Sequence, residues 1–183
     1  MAASAKLPEF KYHPNPLGTG SIELSEQTCE ACGSARGYLY TGAIYGKHDL
    51  ERICPWCIAD GTAHEKFGAE FTDAGAIGDY GAWERVREEI VQEIAFRTPG
   101  FSGWQQERWF THCADAAEFL GPMGRKELEN AGPEAVAVVK QESGMQDEEW
   151  VQYFQALDRN DGPTAYLFRC RHCGVVGGYS DCH

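Results

Sequence analysis

Six of the eight cysteines in this 183-residue chain fall in three Cys-x-x-Cys pairs: Cys29/Cys32, Cys54/Cys57 and Cys170/Cys173. No other feature restricts the fold as strongly. Two residues between paired cysteines let both sulfurs face one ion, while the amides of the turn point at the thiolates. The first two pairs are separated by 21 residues, enough for a short hairpin between two knuckles, and together they supply a complete tetrahedral four-thiolate set. Cys29, Cys32, Cys54 and Cys57 are therefore expected to hold a structural zinc ion in a zinc-ribbon layout. Gly33 follows the second sulfur where the backbone must reverse.

Competing chemistry is weaker. Cys54-Pro-Trp-Cys57 superficially matches a thioredoxin-like dithiol, but no βαβ pattern surrounds it and a partner pair lies upstream. Four thiolates also leave no open position for a catalytic zinc.

The third pair needs two more donors. Adjacent His112 and Cys113 are the leading source, although neighbours on a regular helix diverge by about 100° and both can ligate only from an irregular turn. His172, Cys182 and His183 are the alternatives, and Cys113 can also be read as a buried apolar thiol. Were this second site open to water, Asp115 or Glu118 would be the candidate general base. A weaker acid/base grouping, Asp60 with His64 and Glu65, reads more simply as a solvated helix face. No His-Glu-x-x-His, Gly-x-Ser-x-Gly or phosphate-binding glycine loop is present, so the residues motivate no particular reaction.

The remainder reads as one α+β molecule. Its zinc-ribbon-like lobe is expected to pack on a mostly helical body with a C-terminal strand and second zinc knuckle. The division falls at 1–81 and 82–183. Prolines 8, 14 and 16 with glycines 18 and 20 make the first 28 residues an extended segment, docked through Phe10 and Tyr12. Tyr38–Tyr40 and Ile44–Tyr45 around Thr41-Gly42 suggest the hairpin between the knuckles. Ile58 to Phe67 suits a short helix or turn. Helical spacing of Trp83, Val86, Ile90 and Ile94 predicts a helix over 82–97 ended by Thr98-Pro99-Gly100. Further helices are expected over 105–120, from Pro133 to Lys140 and over 147–157, and 164–169 has strand character.

Sixteen Lys and Arg against 28 Asp and Glu give a net charge of −12, a field that repels phosphate backbones and anionic membranes and favours a basic protein partner. The first ten residues lack the apolar core of a secretory signal, no window approaches a membrane span, and free thiols suit a reducing compartment, so a cytoplasmic location is expected. These readings point to a non-enzymatic zinc-binding protein that binds another protein. A zinc-dependent hydrolase working at the second metal centre, or a zinc-ribbon adaptor for nucleic acid, are the alternatives.

Four stretches carry a family resemblance: Leu7-Pro-x-Phe10-x-Tyr-His-Pro-x-Pro16 with the first knuckle; Ile53-Cys-Pro-Trp-Cys-Ile-Ala-Asp-Gly61 followed by Phe67 and Glu70-Phe71; Gly103-Trp-Gln-Gln-Glu-x-x-Trp109-x-x-His-Cys113; and Tyr166-Leu-Phe-Arg-Cys-x-x-Cys-Gly174. In this order they resemble the CbrC family of small bacterial proteins, whose named member is described as a colicin-tolerance protein. The resemblance implies a bacterial factor linked to protection against toxins. One concrete form is an acidic immunity protein that caps the basic domain of a nuclease-type toxin. It implies no catalytic residues.

Overall fold

The computed structural model describes residues 6–182. It is a mixed α/β protein with small antiparallel sheets and, among the described residues, six α-helices. Residues 6–21 stay irregular, as their prolines require, while 22–25 of the expected extended segment form a strand. The irregular stretch ties two regions together, because Phe10 enters one hydrophobic core and Tyr12 another.

The first sheet pairs β1 (Ile22–Ser25) with β2 (Gly37–Tyr40), in a register running from Ile22 opposite Tyr40 to Ser25 opposite Gly37. The expected hairpin of Tyr38–Tyr40 with Ile44–Tyr45 does not form. Instead Tyr45 bridges to Glu70, and the Tyr40 amide donates to the Ile53 carbonyl. Burial decides the pairing, since joining β1 to β2 puts both Ile22 and Tyr40 into the first core with Ile53 and Ile58. The following stretch holds two short helices, α1 (Pro55–Ala59) and α2 (Thr62–Phe67).

Helix α3 spans Glu88–Arg97, six residues shorter at its start than the apolar spacing suggests. Trp83 and Val86 still reach the second core, but from an extended lead-in. The helix stops before Pro99 because the residue preceding a proline is excluded from the helical region, and Thr98 is extended at φ −125°.

The helix expected over 105–120 is absent. In its place are β3 (Thr111–His112) and β4 (Asp115–Ala116), which form a tight hairpin, and β5 (Glu118–Met123). Burial around Trp109 follows a period of two: Trp109 and Thr111 are buried while Phe110 and His112 are half-exposed. Cys113 and Ala114 have φ of +55° and +54°, which no right-handed helix accommodates.

Helices α4 (Arg125–Ala131), α5 (Pro133–Ser143) and α6 (Asp147–Ala156) follow; Pro133 sits in the first turn of α5, where its missing amide is harmless. The chain ends in β6 (Thr164–Arg169) and β7 (Val176–Asp181), which join β5 in an antiparallel sheet with β6 central. Alternation along β6 sends Tyr166 and Phe168 into an aromatic core with Trp109, Phe101 and Phe119, and Ala165 and Leu167 into a helical core with Leu128, Val139 and Trp150. A strand covered on both faces explains the unbroken apolar run from Ala165 to Phe168. The body is thus built around a sheet, not mainly on helices. β6 runs directly into Cys170, which places the third cysteine pair at the end of this sheet.

Candidate metal centres

Cys29–Gly33 lies in the loop between β1 and β2. The Cys29 amide donates to the Ser34 carbonyl at 3.0 Å, and the Gly33 amide donates back to the Cys29 carbonyl at 2.8 Å. Gly33 closes the turn at φ +67°, a left-handed conformation that costs a β-carbon about 1 kcal/mol. Cys170–Gly174 repeats this pattern: Cys170 amide to Val175 carbonyl at 2.8 Å, Gly174 amide to Cys170 carbonyl at 3.0 Å, and Gly174 at φ +77°. The two segments are the same local device at different places in the fold. Cys54 and Cys57 use another, with Cys54 capping α1, Pro55 in its first turn and the Cys57 amide donating to the Cys54 carbonyl at 3.0 Å.

Folding gathers Cys29, Cys32, Cys54 and Cys57 so that their sulfurs all lie within 4.8 Å of one another. The Cys32 and Cys54 sulfurs are 3.9 Å apart. A tetrahedral zinc ion with Zn–S bonds of about 2.3 Å requires sulfur–sulfur edges of about 3.8 Å, whereas a disulfide requires about 2.05 Å. The arrangement fits the ion and not a disulfide. Cys29, Cys54 and Cys57 are buried and Cys32 opens to solvent.

Electrostatics point the same way. The Cys54 thiol and several backbone amides donate to the Cys29 sulfur and lower its pKa, while Cys54, which keeps that proton, is pushed far up. Burial raises Cys57. Crowded sulfurs cannot all ionise against one another; a divalent cation removes that repulsion and lets every thiol release its proton. Around this cluster the Glu30 carboxylate accepts from the Glu51 and Arg52 amides at 3.1 and 2.9 Å, and Lys66 donates to the Ala31 carbonyl at 2.6 Å. The Glu30 contacts pin the first knuckle to the chain leading into the second pair, and Lys66 ties it to α2 beyond that pair.

The second cluster consists of His112, Cys113, Cys170 and Cys173, whose donor atoms also lie within 4.8 Å of one another. Cys113 and Cys173 sulfurs are 3.7 Å apart, and His112 Nδ1 is 3.2 Å from Cys113 Sγ and 3.4 Å from Cys173 Sγ. An imidazole at about 2.0 Å from zinc gives nitrogen–sulfur edges of about 3.5 Å, so this set also fits a tetrahedral ion. The difficulty of two adjacent donors is resolved by the β3–β4 turn. His112 ends β3, and Cys113 and Ala114 are both left-handed, the backbone of a type I′ turn. Neither residue is glycine, so the turn carries strain.

Glu84, which no motif singles out, supports this turn from a loop 30 residues away. Its Oε2 accepts from the Ala114 amide at 2.9 Å, which holds the carboxyl below its usual range, and its Oε1 lies 3.9 Å from His112 Nε2. At that distance the carboxylate is a charged neighbour of the ring and not a hydrogen-bond partner, while Nδ1 is the nitrogen that faces the sulfurs. Of the alternative ligands, His172 instead places Nε2 2.8 Å from Asp115, and Cys182 lies outside the cluster; His183 lies outside the described residues. Cys113 is exposed, so its reading as a buried apolar thiol is wrong: the turn projects it outward.

Both candidate general bases are occupied. Asp115 accepts from the Tyr12 hydroxyl at 2.7 Å and from the Ala116 amide at 2.9 Å, in addition to its His172 contact. Burial raises its pKa, but these contacts outweigh burial and leave it below the usual range. Glu118 lies 3.8 Å from Arg171. In the Asp60, His64 and Glu65 grouping, His64 stacks on Phe96 at 3.7 Å and meets the Ala69 carbonyl at 3.1 Å, while Asp60 accepts the Thr62 amide at 2.9 Å. These are structural contacts.

Fold and clusters together define a mixed α/β protein with two cysteine-rich groups, each able to hold a metal ion. The chain belongs to the uncharacterised protein family UPF0167, whose sequence model matches residues 7–182. It is 48% identical over 181 residues to UPF0167 protein Mb2317 of Mycobacterium bovis, covering 96% of this chain and 94% of that protein, and equally to UPF0167 protein MT2352 of Mycobacterium tuberculosis. UPF0167 protein PA1536 of Pseudomonas aeruginosa is 44% identical over 170 residues, covering 92% of this chain and 93% of that one. No solved structure matches the chain. These matches overturn the resemblance to the CbrC family: the motifs quoted for it lie inside the region matched by UPF0167, and none of these three relatives carries the CbrC name. The expected toxin tolerance came only from that resemblance and loses its ground with it. Among the described residues no helix is long and apolar enough to cross a membrane.

Proposed function

We propose that this chain is a non-enzymatic zinc protein whose two four-ligand centres lock a folded, acidic body that binds another protein. Cys29, Cys32, Cys54 and Cys57 hold one ion; His112, Cys113, Cys170 and Cys173 hold the second. The observation that carries the reading is the completeness of both donor sets. Four protein donors fill a tetrahedral ion and leave no position for a substrate or activated water. Asp115 and Glu118, the groups that would have to move a proton beside the second centre, are engaged elsewhere. Hydrolysis is therefore the weaker reading.

Each centre joins segments distant in sequence, so ion binding closes the fold, a contribution on the order of 10 kcal/mol per structural site before the chain is ordered. Free thiols in this number suit a reducing compartment such as the cytoplasm. A charge of −12 disfavours nucleic acid and speeds association with a basic protein. Elemental analysis of purified protein should give two zinc ions per chain. Affinity capture on metal-replete protein should retain a basic protein at low salt and lose it at high salt. No stoichiometric metal would remove the first half of the reading, and salt-sensitive retention of nucleic acid would remove the second.

A further inference from the structure

The two clusters are alike in donor geometry and unlike in access. In the first, three of four cysteines are buried; in the second, Cys113 and Cys173 are both exposed and only Cys170 is buried. Those two exposed sulfurs are 3.7 Å apart, although they come from a two-residue turn and a knuckle 60 positions apart. Cys113 also sits at φ +55° in a turn whose next residue is equally strained. Cys170 is different: its sulfur accepts the His172 and Cys173 amides from within its own knuckle.

We propose that Cys113 and Cys173 form an oxidation site for hydroperoxides, at which disulfide formation dismantles the second metal centre. The proposal rests on the reading of that cluster as a zinc site. One exposed thiolate attacks the terminal oxygen of the hydroperoxide; a sulfur–oxygen bond forms, the oxygen–oxygen bond breaks, and the alkoxide or hydroxide leaves and takes a proton from water. The second thiolate attacks the resulting sulfenic sulfur, forming the disulfide and expelling hydroxide, which takes up a proton from the buffered solvent to become water. The two sulfurs lose two electrons, and the peroxide is reduced to one alcohol, or water, and one water.

Closing the bond from 3.7 Å requires the sulfurs to approach by about 1.7 Å, to the disulfide length of about 2.05 Å. Solvent lies on the side of the turn that must move, since Cys113, Ala114 and Cys173 are all exposed. Afterwards only His112 and Cys170 remain as donors. Two donors do not retain zinc against a competing chelator, so the ion is released and the sheet end loses its closure. The first centre has no comparable exposed pair and serves as the internal control.

The test begins with reduced, zinc-loaded full-length protein, whose metal content is measured before any oxidant is added. Hydrogen peroxide is then titrated in with a chromophoric chelator present, against a peroxide-free control that subtracts the zinc the chelator removes unaided, followed by disulfide mapping under denaturing, thiol-blocked conditions. Zinc should fall from two ions per chain to one, with a single Cys113–Cys173 disulfide, and a thiol reductant plus zinc should restore two. The Cys182→Ser variant, which leaves both clusters intact, should behave identically. Release of both ions together, a disulfide within Cys170 and Cys173, or retention of both ions while other thiols oxidise would overturn the proposal. Fewer than two ions before oxidation, with Cys173→Ser holding as many as the parent, would instead refute the metal reading of the second cluster.

Discussion

His13 offers a quantitative check on how the N-terminal segment is held. Its ring is wholly buried, with Nδ1 2.7 Å from the Pro99 carbonyl and Nε2 2.7 Å from the Thr19 hydroxyl, edge-on to Phe119 at 5.1 Å. The carbonyl can only accept, so the neutral ring carries its proton on Nδ1 and Nε2 accepts from Thr19. Burial lowers the pKa from 6.5 to about 4. The sign follows from proton counting. Between these values the unfolded chain binds a proton that the folded chain does not, so stability rises with pH there. The contribution is complete above pH 6.5 and is lost progressively as pH falls toward 4. Across the full interval it amounts to about 3 kcal/mol, and between pH 7.5 and 5.5, where zinc can be kept saturating, to about 1 kcal/mol. His13→Gln has no titrating ring. Whatever its loss of stability at pH 7.5, it should lose about 1 kcal/mol less than the parent between the two pH values, measured by urea denaturation in zinc-containing buffer. Identical losses in the two proteins would mean that His13 is not held neutral in the core.

Replacing one thiolate of the first centre, by Cys29→Ser or Cys54→Ser, should lower zinc to at most one ion per chain and sharply reduce soluble yield; a fully folded variant with unchanged metal would refute that centre. Because the second cluster is exposed and the first largely buried, a chelator should remove zinc in two phases, the faster of which disappears in Cys173→Ser. Gly174→Ala should cost only about 1 kcal/mol by thermal denaturation and retain its zinc, since nothing lies within 4 Å of the added β-carbon and only the left-handed backbone at φ +77° resists it. Phe119→Ala should cost about 3–5 kcal/mol, as that ring is 1% exposed and stacks on Phe101 at 4.0 Å.

Sequence alone reached the parts of this protein that are local devices. A Cys-x-x-Cys turn with a following glycine needs five residues and carries its own hydrogen bonds, so Cys29–Gly33 and Cys170–Gly174 were legible without a fold. The same holds for Pro133 opening α5, for Trp150 on the buried side of α6 and for the strand entering Cys170. His112 and Cys113 could be nominated by residue type, because the third pair lacked two donors, but whether both could turn to one ion depended on backbone that their immediate neighbours do not fix.

Tertiary structure decided the rest. Strand pairing is long-range, and the apolar residues of β2 could serve equally well opposite 44–45 or opposite β1; only the shared burial of Ile22 and Tyr40 beside Ile53 selects the latter. Residues 105–120 have enough apolar content for a helix, yet the core between Phe101 and Phe168 requires Trp109 and Phe119 to arrive from extended chain. The resulting hairpin carries His112 and Cys113 to the end of β6, where Cys170 begins. Glu84 behind that turn has no signal in the sequence, since its role exists only once a loop 30 residues away is folded against it. Donor chemistry was written in residue types and short spacings, whereas the meeting of donors was set by cooperative burial of aromatic side chains from across the whole chain.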